Sequence, residues 1–249
     1  MSWNALILAG TRPGGDPLAA AEGVEAKALI DIDGRPMLER VVGALREAGA
    51  GRIAVACAGA VADLAETLGC EVVAPASGPS GSAMHGLDLL GAPMLLTTAD
   101  HALLEADWVR QMVQDTPDSA DASVMLAERS TVERALPGSK RTWLKFADGQ
   151  WSGCNLFYFR TDAAFAAIEL WSRIEADRKR PWRIVRRLGP TMLWVYARGK
   201  LGLAEGLARL GQRIGIEVAL VPANDGLAAV DADTPQDLAQ IRKIFRKRQ

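Results

Sequence analysis

The sequence predicts an α/β fold, built as a single Rossmann-like domain with a central mixed, mostly parallel sheet flanked by helices. Three observations predict it. Short apolar runs alternate with segments of helical periodicity through the first half of the 249-residue chain, the pattern of a sheet covered on both faces. The first apolar run empties into the glycine-rich stretch Gly10-Thr11-Arg12-Pro13-Gly14-Gly15. Finally, Asp148-Gly149 stands between two later strand-like runs, so a tight hairpin must bring at least one antiparallel pair into the sheet.

Taken in order, residues 5–9 read as the first strand, and 53–58, 71–74 and 94–98 as the strands that follow. Residues 36–48 put Met37, Leu38, Val41, Val42 and Leu45 on one helical face, with Pro36 at the first helical position and Gly49 at the end. Gly78-Pro79-Ser80-Gly81-Ser82 reads as a loop opening an amphipathic helix, with Ser82 as an alternative N-cap. Residues 123–127, 143–146, 151–159 and 217–221 supply further strands, and Leu201, Leu203, Leu207 and Leu210 mark a late helix. The last helix opens on Thr234-Pro235-Gln236-Asp237, where Thr234 caps and Asp237 reaches back toward free amides. Its basic end suits the helix dipole without further explanation.

The net charge of −1 and ordinary apolar content exclude a general nucleic-acid-binding surface and global disorder. Cys57, Cys70 and Cys154 lack metal-ligand spacing and read as buried thiols of a reducing compartment. No apolar run approaches the roughly twenty residues that span a bilayer, and the first strand begins without a basic flank, so the expected location is cytoplasmic.

Gly10, Gly14 and Gly15 can turn backbone amides toward an anion, because glycine carries no Cβ to block close approach. Arg12 and Lys27 add two cations at the same mouth, which suits a triphosphate. Neither a Walker loop nor a Gly-x-Gly-x-x-Gly fingerprint is present. Asp100 follows an apolar run and therefore belongs at the carboxyl end of a strand, where open α/β sheets bind ligands and where a carboxylate suits Mg²⁺; capping of the next loop is the other reading. His101 beside it is expected to be structural. Alternation along 231–233 sends Asp231 and Asp233 to one face, the geometry of two metal ligands, while helix capping explains the same acidic stretch less fully. Asn155 offers both a donor and an acceptor to a substrate hydroxyl. Lys140, Arg141 and Lys145 either meet an acceptor phosphate or form a solvated hairpin face.

Leu8-Ala9-Gly10, Arg12, Lys27 and Gly34-Arg35-Pro36-Met37 together resemble the N-terminal motif of the MobA-like nucleotidyltransferases, with Thr11 where a second glycine is usual. Asp100 and the stretch Asp231-Ala232-Asp233-Thr234-Pro235-Gln236-Asp237-Leu238 extend the likeness, which fades between about 160 and 215. The resemblance implies the nucleotide-diphospho-sugar transferase fold over 1–249, with an acceptor-side helical insertion at about 160–215. It implies Mg²⁺-dependent transfer of NMP from an NTP to a small phosphorylated acceptor with release of pyrophosphate, guanylyl- or cytidylyltransferase-like. On this likeness Ala9, Gly10, Thr11, Arg12, Gly14, Gly15, Lys27, Gly81 and Ser82 bind nucleotide, and Arg12, Lys27 and Asp100 are catalytic. Asn155 faces the acceptor, and Asp100, Asp231 and Asp233 hold the metal. A glycosyltransferase of the same fold and a non-catalytic nucleotide-binding subunit are the alternatives. Cations interleaved with tryptophan and leucine over 173–216 further raise a peripheral membrane contact or a lipid-like acceptor, against a partly buried helical pair or a homodimer contact.

Overall fold

A computed structural model describes residues 2–11, 14–139, 141–176 and 190–248. Its centre is β1 (Asn4–Leu8), in which Ala5, Leu6 and Ile7 are completely buried. A strand buried on both faces needs partners on both edges, and β1 has them. The chain continues through α1 (Pro17–Ala21), a 3₁₀ turn at Lys27–Leu29 and a small hairpin of β2 (Asp31–Ile32) and β3 (Arg35–Pro36). It then enters α2 (Met37–Ala48), for which Pro36 is the cap residue rather than the first helical one, and which Gly49 ends in the left-handed conformation. Next come β4 (Ile53–Ala56), α3 (Ala60–Thr67), β5 (Glu71–Val73), α4 (Pro79–Leu90) and β6 (Met94–Thr98). The second half runs α5 (Ala106–Gln114), β7 (Ala122–Glu128), α6 (Arg129–Ala135), β8 (Leu144–Phe146) and β9 (Gly149–Phe159). It closes with α7 (Phe165–Ala176), α8 (Pro190–Ala197), α9 (Leu203–Gln212), β10 (Val218–Pro222) and α10 (Pro235–Arg248).

Among the described residues the main sheet has eight strands in the order β10-β7-β9-β6-β1-β4-β5, with β8 paired to β9. All pairings are parallel except those of β9, which runs antiparallel to β6, β7 and β8. The sheet is thus mixed and mostly parallel, and the hairpin at Asp148-Gly149 is the one expected. Alternation along β1 sends Ala5 and Ile7 into the core shared with α2 and α5, and Leu6 into the core under α4 and α7.

The chain builds β4 and β5 on one side of β1, then crosses to β6 on the other. The carboxyl ends of β1 and β6 therefore lie side by side, with Leu8 opposite Thr98 and the Ala99 N–H donating to Leu8 O at 2.9 Å. Such a reversal opens a crevice between the loops that leave the two strands. The glycine loop and Asp100 meet there.

The C-terminal signal behaves as expected: Thr234 N–H donates to Asp237 Oδ2 at 2.9 Å, and Asp237 N–H donates to Thr234 Oγ1 at 3.2 Å. Helix α9 starts later than the leucine spacing implies, because the Asp148 carboxylate accepts from Leu203 N–H and fixes the start there. No helix among the described residues is long and apolar enough to cross a membrane.

Before the final helix, a 3₁₀ turn at Gly226–Ala229 is pressed against α6, where a Cβ on Gly226 would lie 2.3 Å from Thr131 O and 2.5 Å from Val132 Cα. Backbone atoms cannot rotate aside as a side chain can. Gly226→Ala is expected to cost about 1–3 kcal/mol in urea unfolding through this overpacking, whereas Gly43→Ala, in α2 with open space around it, should leave stability equal or raise it.

Candidate active site

Lys27 projects from its 3₁₀ turn into the crevice and gathers three carboxylates. Its Nζ donates to Asp233 Oδ1 at 2.7 Å and lies 3.5 Å from Asp100 Oδ2 and 3.7 Å from Asp16 Oδ2. Burial acts to lower its pKa, but the Asp233 hydrogen bond and the fields of Asp100, Asp233 and Asp16 outweigh burial, and the ammonium titrates above its ordinary value. Asp16 also accepts from Leu18 N–H and Ala19 N–H, capping α1, which holds the far end of the glycine loop. That residue was not anticipated. The Asp16-Pro17 pair, an N-cap followed by proline at the first helical position, was the available signal.

Asp100 stands just beyond β6, and its backbone carbonyl accepts from Ala232 N–H at 3.1 Å. This single bond brings in the segment 231–233. Ala232 is fully buried while Asp231 and Asp233 flank it on the open side, so the expected alternation holds in extended chain that pairs with no strand. Asp231 accepts from Asn155 Nδ2 at 3.1 Å and from Arg141 Nη1 at 3.3 Å. Burial first, then repulsion from Asp233 and Asp100, raises the Asp231 pKa.

Asn155 owes its position to a break in β9. Val124 and Leu126 of β7 pair with Phe157 and Gly153, so Met125 alone faces three residues, 154–156. Asn155 takes φ 50° inside that bulge, a left-handed conformation that asparagine tolerates better than most residues. Arg141, with 9 % of its side chain exposed, departs from the solvated-face reading, while Lys145 remains exposed. Lys140 and Arg12 lie outside the described residues.

On the other wall, Gly10 is exposed and adjoins Pro75, while Gly14 and Gly15 both adopt positive φ, which explains glycine there. Ala9 N–H is tied to Ala56 O, and Thr11 is exposed. Gly81 and Ser82 belong to the first turns of α4 rather than to a loop before it. Gly81 permits close approach to Ala76, from which a Cβ would be 2.7 Å away. The buried Ser82 hydroxyl accepts from Ala76 N–H at 2.9 Å and donates to Gly78 O at 3.3 Å, so it shapes the turn before α4 and is not its N-cap, a place taken by Gly78. Glu175 of α7, unforeseen, accepts from the Ser80 N–H and hydroxyl at the start of this helix.

The cysteines are all buried and free, and burial pushes the Cys154 thiol up to about 12, which removes it as a nucleophile. His101 is completely buried against Trp108, as a structural residue should be.

The donor set can be tested against a hard divalent cation. The converging side chains offer carboxylate oxygens, the donors a hard divalent cation takes, and Asp100 Oδ1 is buried without a hydrogen-bond partner, so the donor chemistry suits such an ion. Among the described residues no three acidic, His or Cys side chains are grouped so as to hold a metal ion, and the Lys27 ammonium sits among the carboxylates.

A glycine loop, a half-buried cation and a carboxylate cluster at a sheet's switch point are the arrangement expected of a nucleotide-using transferase of the α/β class. The chain belongs to the MobA-like NTP transferase domain family, whose model matches residues 5–191, and it is a nucleotidyltransferase of that superfamily. Divalent-metal-dependent nucleotidyl transfer is the chemistry associated with this family. A hypothetical transferase from Thermus thermophilus is similar over 96% of this chain and 100% of its own, at 28% identity and a TM-score of 0.81. A nucleotidyl transferase from Methanothermobacter thermautotrophicus, at 17% identity, covers 100% of this chain and 99% of its own with a TM-score of 0.57. The 2-C-methyl-D-erythritol 4-phosphate cytidylyltransferase of Thermus thermophilus, at 18% identity, covers 99% and 100% with a TM-score of 0.56. The last two establish likeness of fold. No curated protein matches the chain.

Burial lowers the His101 pKa from 6.5 to about 4. Between those values the unfolded chain binds a proton that the folded chain refuses, so stability must fall as pH drops from 6.5 toward 4, with a slope of up to about 1.4 kcal/mol per pH unit from this group. Urea unfolding across that range, compared with His101→Gln, should show the slope reduced by that amount in the variant.

Proposed function

We propose that the protein transfers a nucleoside monophosphate from an NTP to a phosphorylated acceptor and releases pyrophosphate. The observation that carries this reading is Lys27, held by Asp16, Asp100 and Asp233 where the glycine loop and the end of β6 meet. An acceptor phosphate oxygen attacks the α-phosphorus, the new P–O bond forms as the bond to the β-phosphoryl oxygen breaks, and pyrophosphate leaves. Little covalent work falls to the protein in such a displacement, so rate comes from placement and charge neutralisation.

Each group has a part in that. Gly10, Gly14 and Gly15, with the backbone of Thr11, cradle the triphosphate, Ala9 anchors the loop to the sheet through its N–H to Ala56 O, and Gly81 and Ser82 shape the wall beside it. Only Asp233 is within close hydrogen-bond distance of Lys27, so the ammonium has donors left for an α-phosphoryl oxygen whose charge grows in the transition state. Arg12 neutralises the departing pyrophosphate. Asn155 spends its amide donor on Asp231 and keeps its carbonyl oxygen for an acceptor hydroxyl. Mg²⁺ would be held by Asp100, Asp231 and Asp233 and would supply charge neutralisation at the reacting phosphate oxygens. The cytidylyltransferase named above, which uses a phosphorylated polyol, supports the phosphorylated-acceptor class. Against a nucleotide-sugar glycosyltransferase stands the pairing of Arg12 with Lys27, which matches a triphosphate.

Lys27→Ala and Asp100→Ala are each expected to lower pyrophosphate release about a hundredfold or more, with the circular dichroism spectrum unchanged. Release at the wild-type rate by either purified variant would overturn the assignment. Asp233→Asn should shift the Mg²⁺ midpoint of activity more than the NTP midpoint, since the amide keeps shape and loses the charge that holds a hard cation. An unchanged Mg²⁺ midpoint would return Asp233 to pairing with Lys27 alone.

A further inference from the structure

We propose that the surface formed by β8, α8 and the turn after α8 docks the protein on an anionic lipid membrane. Trp194, Tyr196 and Leu144, exposed by 56, 46 and 46 %, are the most exposed large apolar side chains among the described residues. Tyr196 meets Phe146 edge-on at 5.7 Å, which joins α8 to the β8 hairpin, and alternation along β8 puts Leu144 on the same face as Phe146. Trp194 and Tyr196 stand two residues apart, on nearly opposite sides of α8, and both are exposed. The second half of the helix is thus open to solvent on both sides. Its sequence, residues 190–197, contains no charged residue, and exposed aromatic rings of this size are best satisfied by an apolar phase that receives them.

Charge selects the phase. The Arg198 guanidinium lies 3.8 Å above the Trp194 ring, Lys145 and Lys200 are exposed, and the nearest acid on β8–β9, Asp148, already serves Leu203 N–H. By sequence, residues 177–200 contain eight Lys and Arg against a single Asp, in a chain whose net charge is −1, so the remainder is strongly acidic. The exposed Lys145, Arg198 and Lys200 turn this surface toward an anionic one. Protruding Trp and Tyr with cations at their flank match the headgroup region of a bilayer, where rings enter the apolar boundary and cations meet lipid phosphates. A nucleic acid would satisfy the cations but leave the uncharged helix without a phase to enter, which favours lipid.

Arg141 lies three residues before Leu144, so at about 3.3 Å per extended residue the docking surface begins roughly 10 Å of chain from the carboxylate cluster. Docking thus turns the acceptor side of the crevice toward the bilayer. This last step rests on the transferase reading above, and the docking itself does not.

Co-sedimentation of the full chain with phosphatidylcholine vesicles, with and without about 30 mol% phosphatidylglycerol, tests the docking without nucleotide or acceptor. Binding is expected only with phosphatidylglycerol at low salt, reduced about tenfold or more by the paired changes Trp194→Ala/Tyr196→Ala and Arg198→Glu/Lys200→Glu. Thermal unfolding of both variants should match the parent. Brominated lipid should quench fluorescence in the parent more than in Trp194→Phe. Absence of binding to anionic vesicles at low salt would overturn the proposal, as would binding that neither pair weakens. Tighter binding of a single-stranded RNA, lost in the same variants, would overturn it in favour of a nucleic-acid surface. Since none of these measurements reads turnover, their failure leaves the transferase reading intact, and loss of that reading would leave the docking standing.

Discussion

Carboxylates crowded at one point repel one another, and the site depends on the cations that permit the crowding. Asp16, Asp100 and Asp233 surround Lys27, while Asp231 leans on Arg141. Four acids against two described bases leave an excess of negative charge beside a glycine loop suited to a triphosphate, itself negative. A triphosphate entering that crevice would need its charge offset by a further cation, which is why the proposed divalent ion suits the site. Remove Lys27 and the three carboxylates lose their common partner.

The sheet makes the crowding possible. Parallel strands β1 and β6 release their loops at one edge, and the Ala232–Asp100 backbone bond hangs the last acidic segment from the second loop. Strand β9 contributes from the opposite direction. Because it runs antiparallel between β6 and β7, Asn155 arrives mid-strand, and the bulge opposite Met125 turns it toward Asp231.

Much of this was readable in the sequence because the signals were local. A glycine loop after an apolar run, an aspartate after another, and two aspartates around one alanine each have a geometry fixed within a few residues. Other parts were set by contacts between distant segments. Nothing near Ser80 announces Glu175, and nothing near Arg141 tells that its side chain is buried rather than solvated. Ser82 was misleading for a different reason: Gly-Ser before a helix has one appearance whether the hydroxyl faces a ligand or, as here, the turn at Ala76. The bulge in β9 leaves no mark either, since Cys154, Asn155 and Leu156 continue an ordinary strand pattern. Helix α8 escaped because an octapeptide without a charged residue shows no polar–apolar periodicity to read.

Lys27 and Asp233 are separated by 206 residues in the chain. At a translation rate of about 5–20 residues per second, roughly ten to forty seconds pass between the emergence of the lysine and that of its closest partner. Late in that interval the growing polypeptide can hold β1, β4, β5 and β6 together with their glycine loop and Asp100, yet it still lacks Asp231 and Asp233. The carboxylate cluster around Lys27 therefore closes in one late step of synthesis rather than accumulating with the sheet.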